Sequence, residues 1–219
     1  ELKQRVMAMA GWMRSIGIGK GDRVAAYVPN IPEVVIAMLA TAALGGVFSS
    51  CSPDFGLGGA SDRFGQIEPK LLIACDGYSY AGKRFERMAV VRDLVKAIPS
   101  ISHTLIIPFL DETPNLGGLP IPTIFENAIS VTNPISEFTR VGFNDPLYIL
   151  YSSGTTGAPK CIVHGVGGVV LQHVKEMRLH CDIRPNDNLF FFTTCGWMMW
   201  NWLVSGLMIG IPIITFEGN

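Results

Sequence analysis

Residues 147–160 read LYILYSSGTTGAPK, an apolar strand pattern that runs directly into a glycine-rich loop. The loop combines Gly154 and Gly157 with four hydroxyl side chains and ends at Lys160. Because glycine has no Cβ, such a backbone can bring consecutive N–H groups onto one anion. A charge-assisted hydrogen bond from the lysine to a phosphate oxygen contributes about 1.5–3 kcal/mol. The segment therefore predicts a strand followed by a phosphate-binding loop.

The spacing of this loop differs from that of a Walker loop. A Walker loop has four residues between its glycines and ends in Gly-Lys-Ser/Thr, whereas two residues separate Gly154 from Gly157 and Pro159 precedes Lys160. A solvated turn is the alternative interpretation of any cluster of Ser, Gly, Thr and Pro. Residues 151–160 carry no acidic side chain and exceed what a chain reversal needs, so we favour the phosphate loop.

Helix and strand patterns alternate on both sides of this segment. Apolar residues at helical spacing predict helices at residues 2–16, 32–44, 57–67, 83–97, 125–129, 168–179 and 198–208. Short apolar runs predict strands at residues 24–28, 47–50, 71–75, 104–107, 147–151, 161–164, 189–194 and 211–216. Asn30 is the expected N-cap of the second helix. This alternation predicts an α/β fold in which helices flank mostly parallel sheets.

Residues 108–146 differ from their surroundings, because six prolines lie among glycines, asparagines and acidic residues. We interpret them as a connection between a subdomain of residues 1–107 and a subdomain of residues 147–219 that holds the phosphate loop. The chain opens on Glu1 within a helical pattern and stops directly after an apolar run. We therefore expect residues 1–219 to be an internal fragment of a longer protein.

Charge and cysteine content argue against several classes of protein. Charged residues make up 16% of the chain, below the roughly 25% of typical domains, and the net charge is −1. The sequence has neither a basic field nor a run of Lys or Arg that would suit a nucleic acid. The five cysteines are scattered without CxxC spacing, which argues against a disulfide framework or a zinc site and favours a reduced, cytosolic compartment.

Two apolar stretches, residues 34–53 and 189–216, reach the roughly 20 residues that a membrane span requires. Glycines and hydroxyl residues interrupt the first stretch, and Gly196, Asn201 and Pro212 interrupt the second. A helix followed by a parallel strand that is covered on both faces explains each stretch better. We expect no membrane insertion.

Large and polarizable side chains are concentrated in one short segment that contains Trp197, Met198, Met199, Trp200 and Trp202. Tryptophan and methionine can shape a pocket for a small acyl chain. Core packing of an amphipathic helix is the alternative, and it suits Trp200 and Trp202 best.

Lys83 and Arg84 follow a turn and open the predicted helix at residues 83–97. The helix dipole disfavours cations at this end, and an external phosphate would remove the conflict. Solvated surface charges are the alternative interpretation.

Three histidines and two aspartates receive no functional assignment. His164, His173 and His180 have no carboxylate or cysteine at metal-ligand spacing, so packing in the core or on the surface accounts for them. Asp54 and Asp76 suit turns.

The loop at residues 151–160 resembles the phosphate loop of the adenylate-forming superfamily, which includes acyl-CoA synthetases, luciferases and the adenylation domains of peptide synthetases. The segments SSCSPDFG (49–56), DRFGQIEPK (62–70) and FTTCGWMMWNWLVSG (192–206) resemble the acetoacetate–CoA ligases within it. The resemblance runs over residues 2–219. It implies that the chain is an incomplete N-terminal AMP-binding domain without its C-terminal domain.

The resemblance implies a reaction in two steps. Acetoacetate attacks the α-phosphate of ATP to give an acyl-adenylate and pyrophosphate, and the thiol of coenzyme A then displaces AMP. The family's β- and γ-phosphate ligands correspond to Ser152, Ser153, Gly154, Thr155, Thr156, Gly157 and Lys160. Of these, Thr155, Thr156 and Lys160 are the expected catalytic residues.

The resemblance also assigns the two smaller sites. Trp197, Met198 and Met199 correspond to the acyl pocket, while Lys83 and Arg84 correspond to the site of the coenzyme A 3′-phosphate. The family's Mg²⁺-binding glutamate, ribose-binding aspartate and C-terminal lysine would all lie beyond Asn219. The fragment alone is therefore expected to be inactive.

Two alternatives stay open. The acid could be acetate, propionate or butyrate, or the chain could be a truncated nucleotide-binding module without catalysis. A luciferase-type oxygenase has no supporting residue in the sequence.

Overall fold

A seven-stranded sheet forms the centre of the fold in a computed structural model that describes residues 1–130, 133–152 and 157–218. The strands, in chain order, are β1 (Arg23–Tyr27), β2 (Val47–Cys51), β3 (Leu71–Cys75), β4 (Gly77–Tyr80), β5 (Lys83–Glu86), β6 (His103–Ile107), β7 (Pro122–Ile124), β8 (Pro146–Ser152), β9 (Lys160–Gly165), β10 (Leu189–Phe190) and β11 (Ile213–Ile214). The helices are α1 (Leu2–Ser15), α2 (Pro32–Ala43), α3 (Leu57–Ile67), α4 (Met88–Ala97), α5 (Phe125–Ser130), α6 (Val166–Lys175) and α7 (Met198–Val204). A π-helical segment, Glu176–His180, continues α6, and a 3₁₀-helix, Ser205–Ile209, continues α7.

The strand order in the sheet is β7-β6-β3-β1-β2-β8-β9. Neighbouring strands are parallel, except that β9 runs antiparallel to β8. The parallel strands therefore end at one edge of the sheet, which we name the carboxyl edge. The α/β class with a mostly parallel sheet is confirmed.

Side chains of the sheet alternate between two cores. Val24 and Ala26 face a core that includes residues of α1, α2, α5 and α7, whereas Ala25 and Tyr27 face a core that includes residues of α3 and α4. All five residues of β3 are buried, as expected for a parallel strand covered on both faces. Because helices cover both faces of the sheet, a ligand can approach the sheet at the ends of its strands.

Strands from both sides of the proline-rich connection share the main sheet. Phe48 of β2 lies opposite Tyr148 of β8, and the connection itself contributes β7 and α5. Within the described residues, β10 and β11 pair only with each other, as a small parallel sheet. The division into subdomains at residues 107 and 147 stays a prediction.

The predicted helix at residues 83–97 is wrong in its first part. Residues 83–86 form β5, which pairs with β4 in a hairpin, and α4 begins only at Met88. Ala81 and Gly82 have φ angles of 51° and 69°, and two consecutive residues with positive φ make the tight turn that joins antiparallel strands. Tyr78 and Phe85 stack across the hairpin, with ring centroids 5.0 Å apart.

Smaller corrections concern the element ends. Asn30 does not cap α2, because Ile31 occupies the N-cap position and no side chain caps the helix there. The predicted strands at 189–194 and 211–216 shorten to β10 and β11, and the predicted helix at 198–208 becomes α7 plus a 3₁₀-helix. No helix in the described parts of the chain is long and apolar enough to cross a membrane.

Candidate active site

The predicted phosphate loop joins β8 to β9 at the carboxyl edge. Ser152, the last residue of β8, pairs with Lys160, the first residue of β9, so the two ends of the loop are neighbours. Gly157 has a φ angle of 106°, in the region that favours glycine. The Lys160 side chain is exposed. Ser153, Gly154, Thr155 and Thr156 lie outside the described residues.

Helix α3 holds the end of this loop through Gln66. The Gln66 side chain donates from Nε2 to the carbonyl oxygen of Pro159 at 2.8 Å. Its Oε1 atom accepts from the thiol of Cys161 at 3.6 Å. One amide therefore contacts the residues on both sides of Lys160, a role that sequence reasoning missed.

Arg63 lies one turn earlier on α3 and contacts the start of the loop. Its guanidinium lies 4.4 Å from the ring centroid of Phe55 and 5.8 Å from that of Tyr151, the residue before Ser152. It also donates to the carbonyl oxygen of Gly59 at 2.6 Å. Since Arg63 and Gln66 are three residues apart, they lie on the same side of the helix. The spacing of Arg63 and Gln66 within DRFGQIEPK was the sequence feature that could have indicated that both side chains contact the loop.

A cavity of about 320 Å³ opens at the carboxyl edge beside the β4–β5 hairpin. We name it the edge cavity, and its lining includes Ser52, Asp54, Tyr78, Tyr80, Thr193 and Glu217. Partial burial raises the pKa of the Glu217 carboxyl, while the backbone N–H of Asn30 donates to its Oε2 atom at 3.2 Å. The cavity thus combines aromatic surface with hydroxyl and carboxyl groups.

Lys83 and Arg84 lie on the exposed strand β5 of this hairpin, not at a helix start, so the dipole argument for them was wrong. Arg84 is paired with Asp111, with Nη2 and Oδ1 2.8 Å apart, and it also donates to the carbonyl oxygen of Leu110. Lys83 makes no ion pair within the described residues and lies opposite Tyr80, which lines the edge cavity. Of these two cations, Lys83 is therefore the one whose side chain is free of an ion pair within the described residues.

The predicted acyl-pocket residues occupy three different environments. Trp197 is 66% exposed. Met198 lines a second cavity of about 350 Å³, and Met199 is half-buried without bordering that cavity. Trp200 is buried, where its Nε1 donates to Asn30 Oδ1 at 2.9 Å and its ring stacks on Phe48. Core packing therefore accounts for Trp200.

The cavity at Met198 lies against β9 and α6, and we name it the α6 cavity. Its lining includes Val163, His164, Val169, Gln172, His173 and Met198. His173 is buried, with Nδ1 2.7 Å from the Oγ atom of Ser205, and the His164 ring packs on Tyr148 at 5.0 Å. Burial lowers the pKa of both imidazoles, which favours their neutral forms. Sequence reasoning gave neither histidine a role.

The described residues contain no group of three or more His, Cys, Asp or Glu side chains that could hold a metal ion. Their five cysteines are free, and Cys161 and Cys181 are exposed.

The chain is similar to known enzymes. The model of the AMP-binding enzyme family matches residues 1–219. The acetoacetyl-coenzyme A synthetase of Rhizobium meliloti (strain 1021) is 49% identical over 226 residues, which cover 100% of this chain and 34% of that protein. The malonamoyl-CoA synthetase of Penicillium aethiopicum is 41% identical and is matched over 31% of its length.

The fold of the chain also matches that of a solved structure. The acetoacetyl-CoA synthetase from Streptomyces lividans superimposes with a TM-score of 0.94 at 44% sequence identity, covering 99% of this chain and 33% of that chain. The chain thus spans about a third of the length of the relatives that it matches.

Proposed function

This chain belongs to the AMP-binding enzyme family, and on that premise we propose that the full-length protein ligates acetoacetate to coenzyme A with ATP. The observation that carries the proposal is the 49% identity to a protein named acetoacetyl-coenzyme A synthetase over the whole of this chain. That match includes the segment 192–206, which supplies Met198 to the α6 cavity. We also propose a reduced, cytosolic compartment, because the five cysteines are scattered along the sequence without CxxC spacing.

In the first step, a carboxylate oxygen of acetoacetate attacks the α-phosphorus of ATP. The bond from that phosphorus to the bridging oxygen breaks, and pyrophosphate leaves with the electron pair. Lys160 neutralises charge on the β- and γ-phosphates in this proposal, and Ser152, Ser153, Gly154, Thr155, Thr156 and Gly157 are the proposed further ligands of those phosphates. Positioned charge of this kind accounts for most of the catalysis in such transfers.

Magnesium accompanies ATP in this proposal and supplies further neutralisation of phosphate charge. The described residues offer no cluster of ligands for it, so none of them is assigned to the metal.

In the second step, the sulfur of coenzyme A attacks the acyl carbon of the adenylate. The bond from that carbon to the phosphate oxygen breaks, AMP leaves, and the thiol proton passes to solvent. Lys83 binds the 3′-phosphate of coenzyme A from the hairpin beside the edge cavity. Arg84 contributes less, because Asp111 already pairs with it.

A second candidate acid is malonamate, because one relative at 41% identity is named malonamoyl-CoA synthetase. Pyrophosphate release by the full-length protein should be measured with acetoacetate, malonamate, acetate, propionate and butyrate. We expect the highest kcat/KM with acetoacetate. A preference for acetate, propionate or butyrate would reject the proposed substrate, and no release with any acid would favour a nucleotide-binding module.

A further inference from the structure

Asp76 is a buried residue between β3 and β4 that has no part in the reaction steps above, and it is 3% exposed. Its Oδ1 atom accepts from the backbone N–H groups of Phe109 and Leu110 at 2.8 and 3.0 Å. Its Oδ2 atom accepts from those of Leu110 and Asp111 at 3.1 and 2.8 Å. Hydrogen bonds from backbone N–H groups to an ionised carboxylate are roughly twice as strong as neutral ones. One side chain therefore orders three consecutive residues that follow β6.

Residues 109–111, which we name the support segment, hold the β4–β5 hairpin from one side. Arg84 of β5 donates from Nη2 to the carbonyl oxygen of Leu110 at 2.9 Å and to Oδ1 of Asp111 at 2.8 Å. Gly77, the first residue of β4, packs so closely on the support segment that a Cβ there would clash with the Leu110 side chain. Asp76 thus orders the residues that contact both strands of the hairpin.

Lys83 lies on the other face of the hairpin. Residues directly opposite each other in an antiparallel pair share one face, and neighbours along a strand alternate between faces. Lys83 lies opposite Tyr80, which lines the edge cavity, whereas Arg84 lies opposite Ser79. The cation that holds the hairpin is therefore next in sequence to the cation proposed to bind coenzyme A, and it points the opposite way.

The position of Lys83 depends on such anchoring contacts. A single two-stranded hairpin is marginally stable in water, and within the described residues β4 and β5 pair only with each other. Arg87 holds the base of the hairpin, because its Nε donates to the carbonyl oxygen of Pro53 at 2.7 Å and its backbone N–H donates to that of Asp76 at 2.7 Å. Arg84 lies closer to the turn, so its contact with the support segment fixes the part of the hairpin that carries Lys83.

We propose that Asp76 is a positioning residue for the second step, which holds Lys83 at the 3′-phosphate of coenzyme A through the support segment and Arg84. This inference rests on the proposed function, which assigns that phosphate to Lys83. Asp76 touches no substrate and acts through Lys83. Its removal should therefore weaken the binding of coenzyme A and leave adenylation unchanged.

The test uses full-length protein and measures KM for coenzyme A and for coenzyme A that lacks its 3′-phosphate. Asp76→Ala should raise KM for coenzyme A about 3- to 20-fold, and no more than Lys83→Ala does, because the charge-assisted bonds that order the support segment are lost. With the substrate that lacks the 3′-phosphate, Asp76→Ala and wild-type protein should have the same KM. Pyrophosphate exchange without coenzyme A should be unchanged.

Two further variants test the same link. Asp76→Asn keeps one oxygen acceptor and should recover part of the loss. Asp111→Ala removes only the exposed partner of Arg84 and leaves the buried carboxylate intact, so it should give a smaller rise with the same dependence on the 3′-phosphate. Asp93→Ala, which removes an exposed carboxylate that pairs with Lys96 on α4, is the control.

A double-mutant cycle separates positioning from a general structural role. In the protein with both Asp76→Ala and Lys83→Ala, KM for coenzyme A should equal that of Lys83→Ala alone, because both changes act through one contact. Additive effects, slower pyrophosphate exchange, or a raised KM that persists without the 3′-phosphate would assign Asp76 a structural role and overturn the inference.

The outcomes also distinguish the inference from the proposed function. If Lys83→Ala raises KM for coenzyme A and neither Asp76→Ala nor Asp111→Ala does, the inference is overturned while the proposed function stands. If Lys83→Ala leaves KM for coenzyme A unchanged in a protein that ligates acetoacetate, the assignment of Lys83 fails and the inference fails with it. If wild-type protein forms no thioester from acetoacetate, the proposed function itself is rejected, together with the inference that rests on it.

Discussion

Lys160 is the side chain whose removal should affect adenylation most. It is exposed at the start of β9, directly after the loop, so it can reach a phosphate without rearrangement of the sheet. In full-length protein, Lys160→Ala should lower kcat/KM for ATP in pyrophosphate exchange by roughly 10- to 100-fold, the equivalent of one charge-assisted hydrogen bond. Lys160→Arg should retain part of the activity, because it preserves the charge.

Lys96→Ala provides the matched control for Lys160. Lys96 is an exposed lysine on α4 that pairs with Asp93 of the same helix. The Lys96→Ala substitution should leave the rate of pyrophosphate exchange unchanged. A Lys160→Ala protein that exchanges pyrophosphate within twofold of wild type would contradict the phosphate-binding role.

Single residues were predictable from sequence where their partners are close in the chain. The glycines and the lysine of residues 151–160 predict a phosphate loop because they are contiguous, and that role stays a prediction. The contact of His173 with Ser205 was not predictable, because the two lie 32 residues apart and only the fold brings them together. Arg84 was misread because the turn before Lys83 was expected to lead into a helix, whereas Ala81 and Gly82 form a hairpin turn that leads into strand β5.

At the scale of elements, α3 contacts the end of the predicted phosphate loop through Gln66. Its amide contacts Pro159 and Cys161, and these contacts fix the chain on both sides of Lys160. Gln66→Leu in full-length protein should raise KM for ATP roughly fivefold, because a neutral hydrogen bond contributes about 0.5–1.5 kcal/mol. KM for acetoacetate should stay unchanged, since α3 does not border the α6 cavity.

Gln4→Leu is the control for this change, because Gln4 is an exposed amide on α1. Initial rates at varied ATP give the comparison. Equal KM values for ATP in the Gln66→Leu and Gln4→Leu proteins would show that α3 does not position the loop.

The β4–β5 hairpin is the second element with a defined role in the proposal. The Lys83 side chain makes no ion pair within the described residues, whereas the Arg84 side chain contacts Asp111 and the carbonyl oxygen of Leu110. Lys83→Ala should therefore raise KM for coenzyme A about 5- to 20-fold, and Arg84→Ala should raise it less. Pyrophosphate exchange without coenzyme A should be unaffected in both.

Coenzyme A that lacks its 3′-phosphate makes this test specific. With that substrate, wild-type protein and Lys83→Ala should have the same KM, because the charge that Lys83 would contact is gone. Lys20→Ala, which removes an exposed lysine that pairs with Asp145, is the control. A Lys83 effect that persists without the 3′-phosphate would reject the assignment.

At the scale of the whole molecule, the alternation of helices and strands predicted the α/β class, but not the strand order. Helix α3 and strand β3 have the predicted bounds, because their patterns are local. The pairing of β8 with β2 joins residues 100 positions apart, Phe48 and Tyr148, and no local pattern encodes it. The short strand β7 escaped prediction because it lies among prolines and has only three residues.

Asn30 connects the main sheet to the segment that contains α7, β10 and β11. It follows β1 and is 2% exposed, and its Oδ1 accepts from Trp200 Nε1 at 2.9 Å. Its backbone N–H also donates to Glu217. Asn30→Ala leaves the indole N–H buried without its acceptor, which should cost about 1–3 kcal/mol of unfolding free energy.

The loss of stability in Asn30→Ala should be confined to the segment that Asn30 connects to the main sheet. Hydrogen exchange in full-length Asn30→Ala protein should accelerate in α7 and β11 and stay slow in β3, because β3 lies in the centre of the sheet. Asn115→Ala, at an exposed turn, is the control. In a double-mutant cycle with Trp200→Phe, the two changes should be non-additive, because each removes the same hydrogen bond. Additive losses, or faster exchange in β3 to the same extent as in α7, would mean that Asn30 does not connect the two parts of the molecule.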